Sequence, residues 1–348
     1  MIGDMNNMKF YLAPLEGITG FIYRNTYAEV FNNIDKYFAP FVVPNESRSL
    51  RTKEFFDILP ENNQDVHLIP QILTNNADGF ILTMNKMKKL GYNEINLNLG
   101  CPSTTVVNKN RGSGFLAFPD ELNVFLEKIY NSAAKDNMKV SVKTRLGRDN
   151  SEEFIRLLEI YNNYPIEELI IHPRTQKDFY GKTIHRDMFK YAIENSKNSI
   201  CYNGDIFTKS DYMNLLEQLN CNIKEDCEVH NKQLKNTHTD KFMLGRGIIA
   251  NPGILYEIKN NKTVSKEKIR KFHDKLLERH LEIYNNERGI LFKLKEIWSY
   301  MIHIFSNSKE YNIALKKSQN IDEYKEIVNR LFRNEDIIPG AGLFTKQI

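Results

Sequence analysis

Apolar positions along the chain gather into eight short runs, and the stretches between them are mostly amphipathic. The runs are KFYLA (9–13), YFAPFV (37–42), HLIPQI (67–72), EINLNL (94–99), KVSVKT (139–144), ELIIH (168–172), SICYN (199–203) and KFMLG (241–245). Their length and bounding turn residues predict strands. Helical spacing predicts helices over 20–33, where Phe21, Tyr27, Val30 and Phe31 share a side, and over 76–90, 119–134, 151–163 and 208–219. Pro119 or Asp120 opens the third of these, and Ser151 followed by Glu152 and Glu153 opens the fourth. From about 265 no further strand is evident. Leu291, Leu294, Trp298, Met301 and Phe305 recur at three and four residues there, the stripe of a helix–helix core. The polar run Asn260, Asn261, Lys262 and Thr263 is the expected linker.

Strand–helix alternation repeated eight times in about 250 residues has the rhythm of a (β/α)8 barrel. A doubly wound open sheet is the rival, and it usually carries a glycine-rich turn after its first strand. Here that strand runs into Ala-Pro-Leu-Glu-Gly instead. Polar residues follow nearly every run: Pro14-Leu15-Glu16-Gly17, Gln71, Asn98 with Cys101, Lys143 with Arg145, His172 with Arg174, Asn203-Gly204-Asp205, and Gly245-Arg246-Gly247. A barrel collects the C-terminal ends of all its strands on one rim, so groups in this register point to a shared site. The expected architecture is an α/β TIM barrel over 1–255 followed by a small all-α domain over 265–348.

Composition narrows the class. With 41% hydrophobic and 26% charged residues and no apolar run of membrane length, the chain reads as a soluble globular protein without a membrane partner. Its first residues, MIGDMNNMKF, lack the apolar segment of a secretory signal. Four cysteines in 348 residues do not make a disulfide scaffold, so a cytoplasmic location is expected. Charge is unevenly placed: residues 1–254 carry 30 Lys+Arg against 31 Asp+Glu, whereas 255–348 carry 18 against 13, a net of +5. A basic tail suits a polyanionic partner, although lysine-rich helix faces also keep small domains soluble.

Glycines beside Asn203, Asp205 and Arg246 let backbone N–H groups approach an anion, and the last two strands are where a barrel usually holds phosphate. Lys143 has three readings: a Schiff-base amine, a cation stabilising negative charge on a flavin, or a salt-bridge partner of a nearby acid. His172 and Gln71 could hydrogen-bond a planar heterocycle or be satisfied polar groups near the core. Cys101 stands where a strand gives way to a glycine-containing loop with Lys109 and Arg111, and a thiol on a mobile rim loop could deliver a proton or act as a nucleophile. Cys201, inside a strand, is expected to pack. Cys221, Cys227, His230 and His238 have zinc-ligand chemistry without a C-x2-C knuckle, and a solvated insertion with no metal is the expectation.

These residues resemble the tRNA-dihydrouridine synthases. The similarity covers most of 10–255 and rests on APLEG, QIL (71–73), LNLGCPS, VSVKTRLG, IHPRT, NGDI and LGRGI. It implies an FMN enzyme that uses NADPH to reduce uridines in tRNA to 5,6-dihydrouridine, with hydride delivered to C6 and Cys101 protonating C5. By the same motifs, Pro14, Leu15 and Glu16 would line the flavin, and Gln71, Lys143 and His172 would contact its ring or ribityl region. Asn203, Gly204, Asp205, Gly245 and Arg246 would hold its phosphate, Asn98 and Arg174 would seat the uracil, and the helical domain would grip tRNA. A monomer is expected. Two departures stand out: Pro173 where the family usually has a small residue, and a long insertion at about 220–238. The alternative reading is an FMN barrel acting on a free pyrimidine; a Schiff-base lyase and a non-catalytic RNA-binding protein are further rivals.

Overall fold

Every one of the eight apolar runs forms parallel sheet. The computed structural model describes residues 7–44, 53–181, 183–220 and 239–342. Its strands are β1 (Lys9–Leu12), β2 (Lys36–Phe38), β3 (Leu68–Ile69), β4 (Gln71–Ile72), β5 (Glu94–Leu99), β6 (Lys139–Arg145), β7 (Leu169–His172), β8 (Ile200–Tyr202) and β9 (Lys241–Leu244). They hydrogen-bond in the order β3-β2-β1-β9-β8-β7-β6-β5-β4. The two ends of that order, β3 and β4, are separated in sequence by Pro70 alone. The run HLIPQI is therefore one strand split at a residue that has no N–H to give the ladder. Its first half pairs with β2 and its second with β5, which rolls nine segments into a near-closed, eight-position barrel. An isolated bridge between Val42 and Ile72, with Val42 N donating to Gln71 O at 2.8 Å, helps close the seam.

The chain divides into two compact units. The first, residues 1–14, 36–204 and 218–243, carries the sheet. Tyr11, Ala13, Phe38, Ile69, Ile170, Cys201 and Met243 meet as its buried interior, so Cys201 packs as expected. Helices follow at Ala77–Lys89, Pro119–Asp136, Glu153–Tyr161 and Arg186–Asn195. The Asn76 side chain accepts from Gly79 N at 2.7 Å to cap the first, and Pro119 at the start of the second loses no helical hydrogen bond by lacking an N–H. Phe125 in the second helix meets Phe80 in the first at 6.0 Å and Phe115 at 5.4 Å, both edge to face.

The second unit, residues 15–35, 205–217 and 244–348, is helical where described. Phe272 of helix Lys266–Ile283 is buried against Tyr23, Tyr27 and Phe31 of helix Phe21–Phe31, at 5.5–6.1 Å between ring centres. The stripe Leu291, Leu294, Trp298, Met301 and Phe305 is buried throughout, as its spacing predicts. A polar chain runs through this apolar interior. Trp298 Nε1 donates to the Tyr324 hydroxyl at 2.6 Å, and that hydroxyl lies 2.7 Å from His273 Nε2. His273 Nδ1 lies 2.8 Å from the Asp274 carboxylate, which also accepts from Arg270 Nε at 2.6 Å. No described helix is long and apolar enough to cross a membrane.

Candidate active site

Register alone places four of the predicted groups, Gln71, Asn98, Lys143 and His172, on one face of the first unit. Asn96 pairs with both Gln71 and Ser141, Asn98 with Lys143, Lys143 with Ile170, and Arg145 with His172. Directly paired residues share a face, as do residues two apart on one strand. Ile170 belongs to the barrel interior, so Gln71, Asn96, Asn98, Ser141, Lys143, Arg145 and His172 all point inward. The larger numbers on each strand lie toward the C-terminal rim.

A continuous amide relay crosses this face. Asn96 Nδ2 donates to Ser141 Oγ at 2.9 Å, Gln71 Nε2 to Asn96 Oδ1 at 2.8 Å, and Asn98 Nδ2 to Gln71 Oε1 at 2.7 Å. Asn98 Oδ1 then accepts from both Gly100 N and Cys101 N at 3.0 Å. Gln71 and Asn96 are fully buried, where an unpaired amide would cost about 1–3 kcal/mol, so the relay fixes the orientation of each amide. It ends on the backbone of the cysteine.

Lys143 is half-buried and has no carboxylate partner among the described residues, so the salt-bridge reading has no support. Burial, reinforced by the positive charge of Arg145, lowers its amine to about 8. Arg145 is committed elsewhere. It is buried, and it donates from Nε to Gly100 O at 2.9 Å and from one terminal nitrogen to Thr175 O at 2.8 Å and Phe179 O at 2.9 Å. The Tyr180 ring lies 5.3 Å from its guanidinium carbon. One guanidinium thus ties the loop after β5 to the loop after β7.

His172 and Arg174 are both buried, and an Arg174 terminal nitrogen lies 3.3 Å from His172 Nε2. A guanidinium has donors only, so in this pair Nε2 is the acceptor. The departure at Pro173 has a physical account: Arg174 N donates to His172 O at 2.7 Å, closing a three-residue turn whose central φ suits proline.

In the second unit, Arg246 donates to the Asp205 carboxylate at 2.8 Å and lies over the Phe207 ring at 5.3 Å. A side chain at Gly247 would come within 1.9 Å of Ile206 O, so this turn admits glycine only. Leu15 N donates to Thr19 Oγ1 at 2.8 Å in a turn that leaves Glu16 exposed. Of the groups expected at the phosphate, Asn203 belongs to the first unit, where its side chain donates to Met243 O at 2.8 Å. Gly204 approaches so near the Tyr202 hydroxyl that a β-carbon would lie 2.2 Å from it. Pro14 ends the first segment of the same unit, and Gly245 belongs to the second.

The Cys101 loop differs from its expectation. Its glycines and basic residues suggest a mobile loop, yet Thr104–Val107 form a helical turn and Gly112–Ala117 a 3-10 helix. Lys109 is exposed, and its carbonyl accepts from Asn75 at 3.2 Å. No described group of three or more His, Cys, Asp or Glu could hold a metal. Cys221, Cys227, His230 and His238, and nearly all of the 220–238 insertion, lie outside the described residues. Sequence reading missed what Arg145, Asn96 and Ser141 do; their inward register relative to Asn98 and Lys143 was the available signal.

Inward-facing amides, a lysine with a lowered pKa and a cysteine just past a strand end gather on the face where parallel-barrel enzymes place their chemistry. The model of the dihydrouridine synthase (Dus) family matches residues 11–336, and the chain belongs to that family. Among curated relatives, the probable tRNA-dihydrouridine synthase of Staphylococcus aureus (strain Mu50) is 26% identical over 337 residues, covering 92% of each chain. That of Helicobacter pylori (strain J99) is 27% identical over 313 residues, covering 85% of this chain and 84% of its own. Among solved structures, a variant of NCR from Zymomonas mobilis matches 76% of this chain and 90% of its own, with a TM-score of 0.46 and 13% identity.

Proposed function

We propose that the protein is an FMN-dependent oxidoreductase that reduces the C5=C6 bond of uridines in tRNA, with NADPH as the electron donor. Membership of the dihydrouridine synthase family supports the reaction class, as does similarity to the probable tRNA-dihydrouridine synthases described above. The observation that carries the site assignment is the amide relay ending on Cys101, beside an inward lysine with no carboxylate partner among the described residues.

The residues fit a flavin. A lysine without a counter-carboxylate among the described residues suits the edge of a ring that becomes anionic on reduction, and the Gln71 amide and the His172 imidazole are groups that hydrogen-bond planar heterocycles. The reduced cofactor, when bound, supplies the hydride that uracil C6 accepts. Cys101 supplies the proton for C5. Asn98 spends one N–H on Gln71 and its oxygen on the loop, which leaves its second N–H for the uracil, and Arg174 seats the same base. Asp205, an anion, serves the phosphate by orienting Arg246. Pro14, Leu15, Glu16, Asn203, Gly204 and Gly245 are assigned to the cofactor on their motifs alone.

A base must leave its stack to enter a barrel mouth, at a cost of a few kcal/mol that is smallest in an open loop. Residues 265–348 supply the grip on the tRNA backbone, where Lys309, Lys317, Lys325, Arg330 and Arg333 are exposed. One rival draws on the same amine. A Schiff-base lyase built on Lys143 would be colourless and would trap substrate on Lys143 with borohydride. Purifying the protein, recording its visible spectrum and mapping dihydrouridine in tRNA after incubation with NADPH tests the proposal. Flavin absorbance with new dihydrouridine supports it, and a colourless, inactive protein refutes it.

A further inference from the structure

The relay accounts for the N–H of Cys101, but the other half of that residue's backbone is held from across the loop. Ser113, twelve residues on and fully buried, donates twice to the Cys101 carbonyl: from its backbone N at 3.1 Å and from its side-chain Oγ at 2.9 Å. Among the described residues the Ser113 hydroxyl makes no other hydrogen bond. Gly112 stands against the same residue. Its φ is +57°, and a β-carbon there would lie 2.7 Å from Cys101 O and 3.1 Å from Cys101 Cβ. Pro102 limits the backbone of Cys101 from the following position, because a residue before proline is confined to extended conformations. The next carbonyl back, that of Gly100, accepts from Arg145 Nε at 2.9 Å.

Both backbone polar groups of Cys101 are therefore occupied, its backbone conformation is narrowed, and a glycine without a side chain fills the space beside its β-carbon. A proton donor must sit within hydrogen-bond reach of the atom it protonates, and an error of about 1 Å in such a placement can cost on the order of 100-fold in rate. A buried serine hydroxyl spent on one carbonyl makes sense as part of a seat for the residue that owns that carbonyl.

We infer that Gly112 and Ser113 form the seat of Cys101, with Ser113 a positioning residue that fixes where the thiol stands when it gives its proton to the nucleobase. The inference rests on the proton-donor reading of Cys101 proposed above. Ser113 touches neither substrate nor cofactor in this scheme. Its effect passes through the Cys101 backbone, so it acts on the protonation step and not on tRNA binding.

Ser113→Ala tests this, because it removes the hydroxyl, keeps the backbone N–H bond and fills nearly the same volume. Three quantities are read on the full chain: kcat and KM for tRNA, bound flavin from the visible spectrum, and the rate of iodoacetamide alkylation at Cys101 from peptide mass mapping. The expected result is a kcat about tenfold lower with KM within twofold, unchanged flavin content, and Cys101 alkylation several-fold faster. Gly112→Ala, which pushes on the cysteine directly, is expected to lower kcat further. Unchanged kcat in Ser113→Ala overturns the inference, whether or not alkylation changes. If the wild-type protein forms no dihydrouridine, the proton-donor reading fails, and the alkylation rate alone decides the seat: faster in Ser113→Ala upholds it, unchanged overturns it.

Discussion

The side-chain oxygen of Asn98 lies 3.0 Å from the backbone nitrogen of Cys101, while the Asn98 amide nitrogen donates to Gln71 at 2.7 Å. One amide thus connects the inward face of β5 to the cysteine that follows it. A strand is a rigid mount and a loop is not, so this bond transmits the placement of the sheet to the cysteine. The relay behind it, through Gln71, Asn96 and Ser141, is buried and hydrogen-bonded at every member, which resists reorientation of any single amide.

Burial of Lys143 costs stability. The fold lowers its amine from 10.5 to about 8, so the folded state binds that proton less tightly than the unfolded chain does. Stability should then rise with pH between about 8 and 10.5, since the unfolded state holds the extra proton throughout that window. Below pH 8 the whole penalty is present, up to about 3 kcal/mol at 1.36 kcal/mol per pKa unit. Lys143→Met should raise the melting temperature of the flavin-free protein at pH 7, with the advantage fading as pH approaches 10.5, and should abolish most uridine reduction. Thermal denaturation of both proteins across pH 7–10.5 checks it.

Arg145→Ala should destabilise the protein by about 3–5 kcal/mol, because it orphans the carbonyls of Gly100, Thr175 and Phe179 at once. Arg145→Lys keeps the charge but cannot reproduce the fork, and should recover less than half of that loss. Urea denaturation gives both numbers. Equal stability of wild type and Arg145→Ala would show that these bonds contribute nothing.

His273, His280 and His303 of the helical unit are all held below the usual histidine value by burial. His273 faces Tyr324 on one side and Asp274, backed by Arg270, on the other, and its depression persists despite that carboxylate. Lowered folded values mean that the unfolded chain takes up protons first as pH falls. Their contribution to stability is complete above the unfolded value of about 6.5 and is lost as pH drops through the lower folded values. Far-ultraviolet circular dichroism during denaturation at pH 7.5 and 5.5 should show reduced stability at the lower pH, and His273→Gln should shrink the difference.

Strand positions were legible because runs buried within a parallel barrel are apolar along their length, and helix starts because Pro119 and the acidic first turns announce them. The split at Pro70 was visible as a residue but not as two strands, since only pairing with β2 on one side and β5 on the other reveals it. The candidate residues on β4 to β7 were legible as polar groups at strand ends. Their shared face needed the register. Arg145 reads as one more rim cation until its carbonyl partners, 30 to 45 residues away in sequence, are known. The buried Trp298–Tyr324–His273 chain was equally hidden, because an apolar stripe records which residues meet but not which polar atoms they carry inward.

Dihydrouridine formation by Cys101→Ala, measured by mass spectrometry on tRNA incubated with purified protein and NADPH, tests the central claim most directly. The account predicts a yellow variant with normal flavin content whose product forms about 100- to 10,000-fold more slowly than with wild type. Wild-type rates in that variant would contradict it.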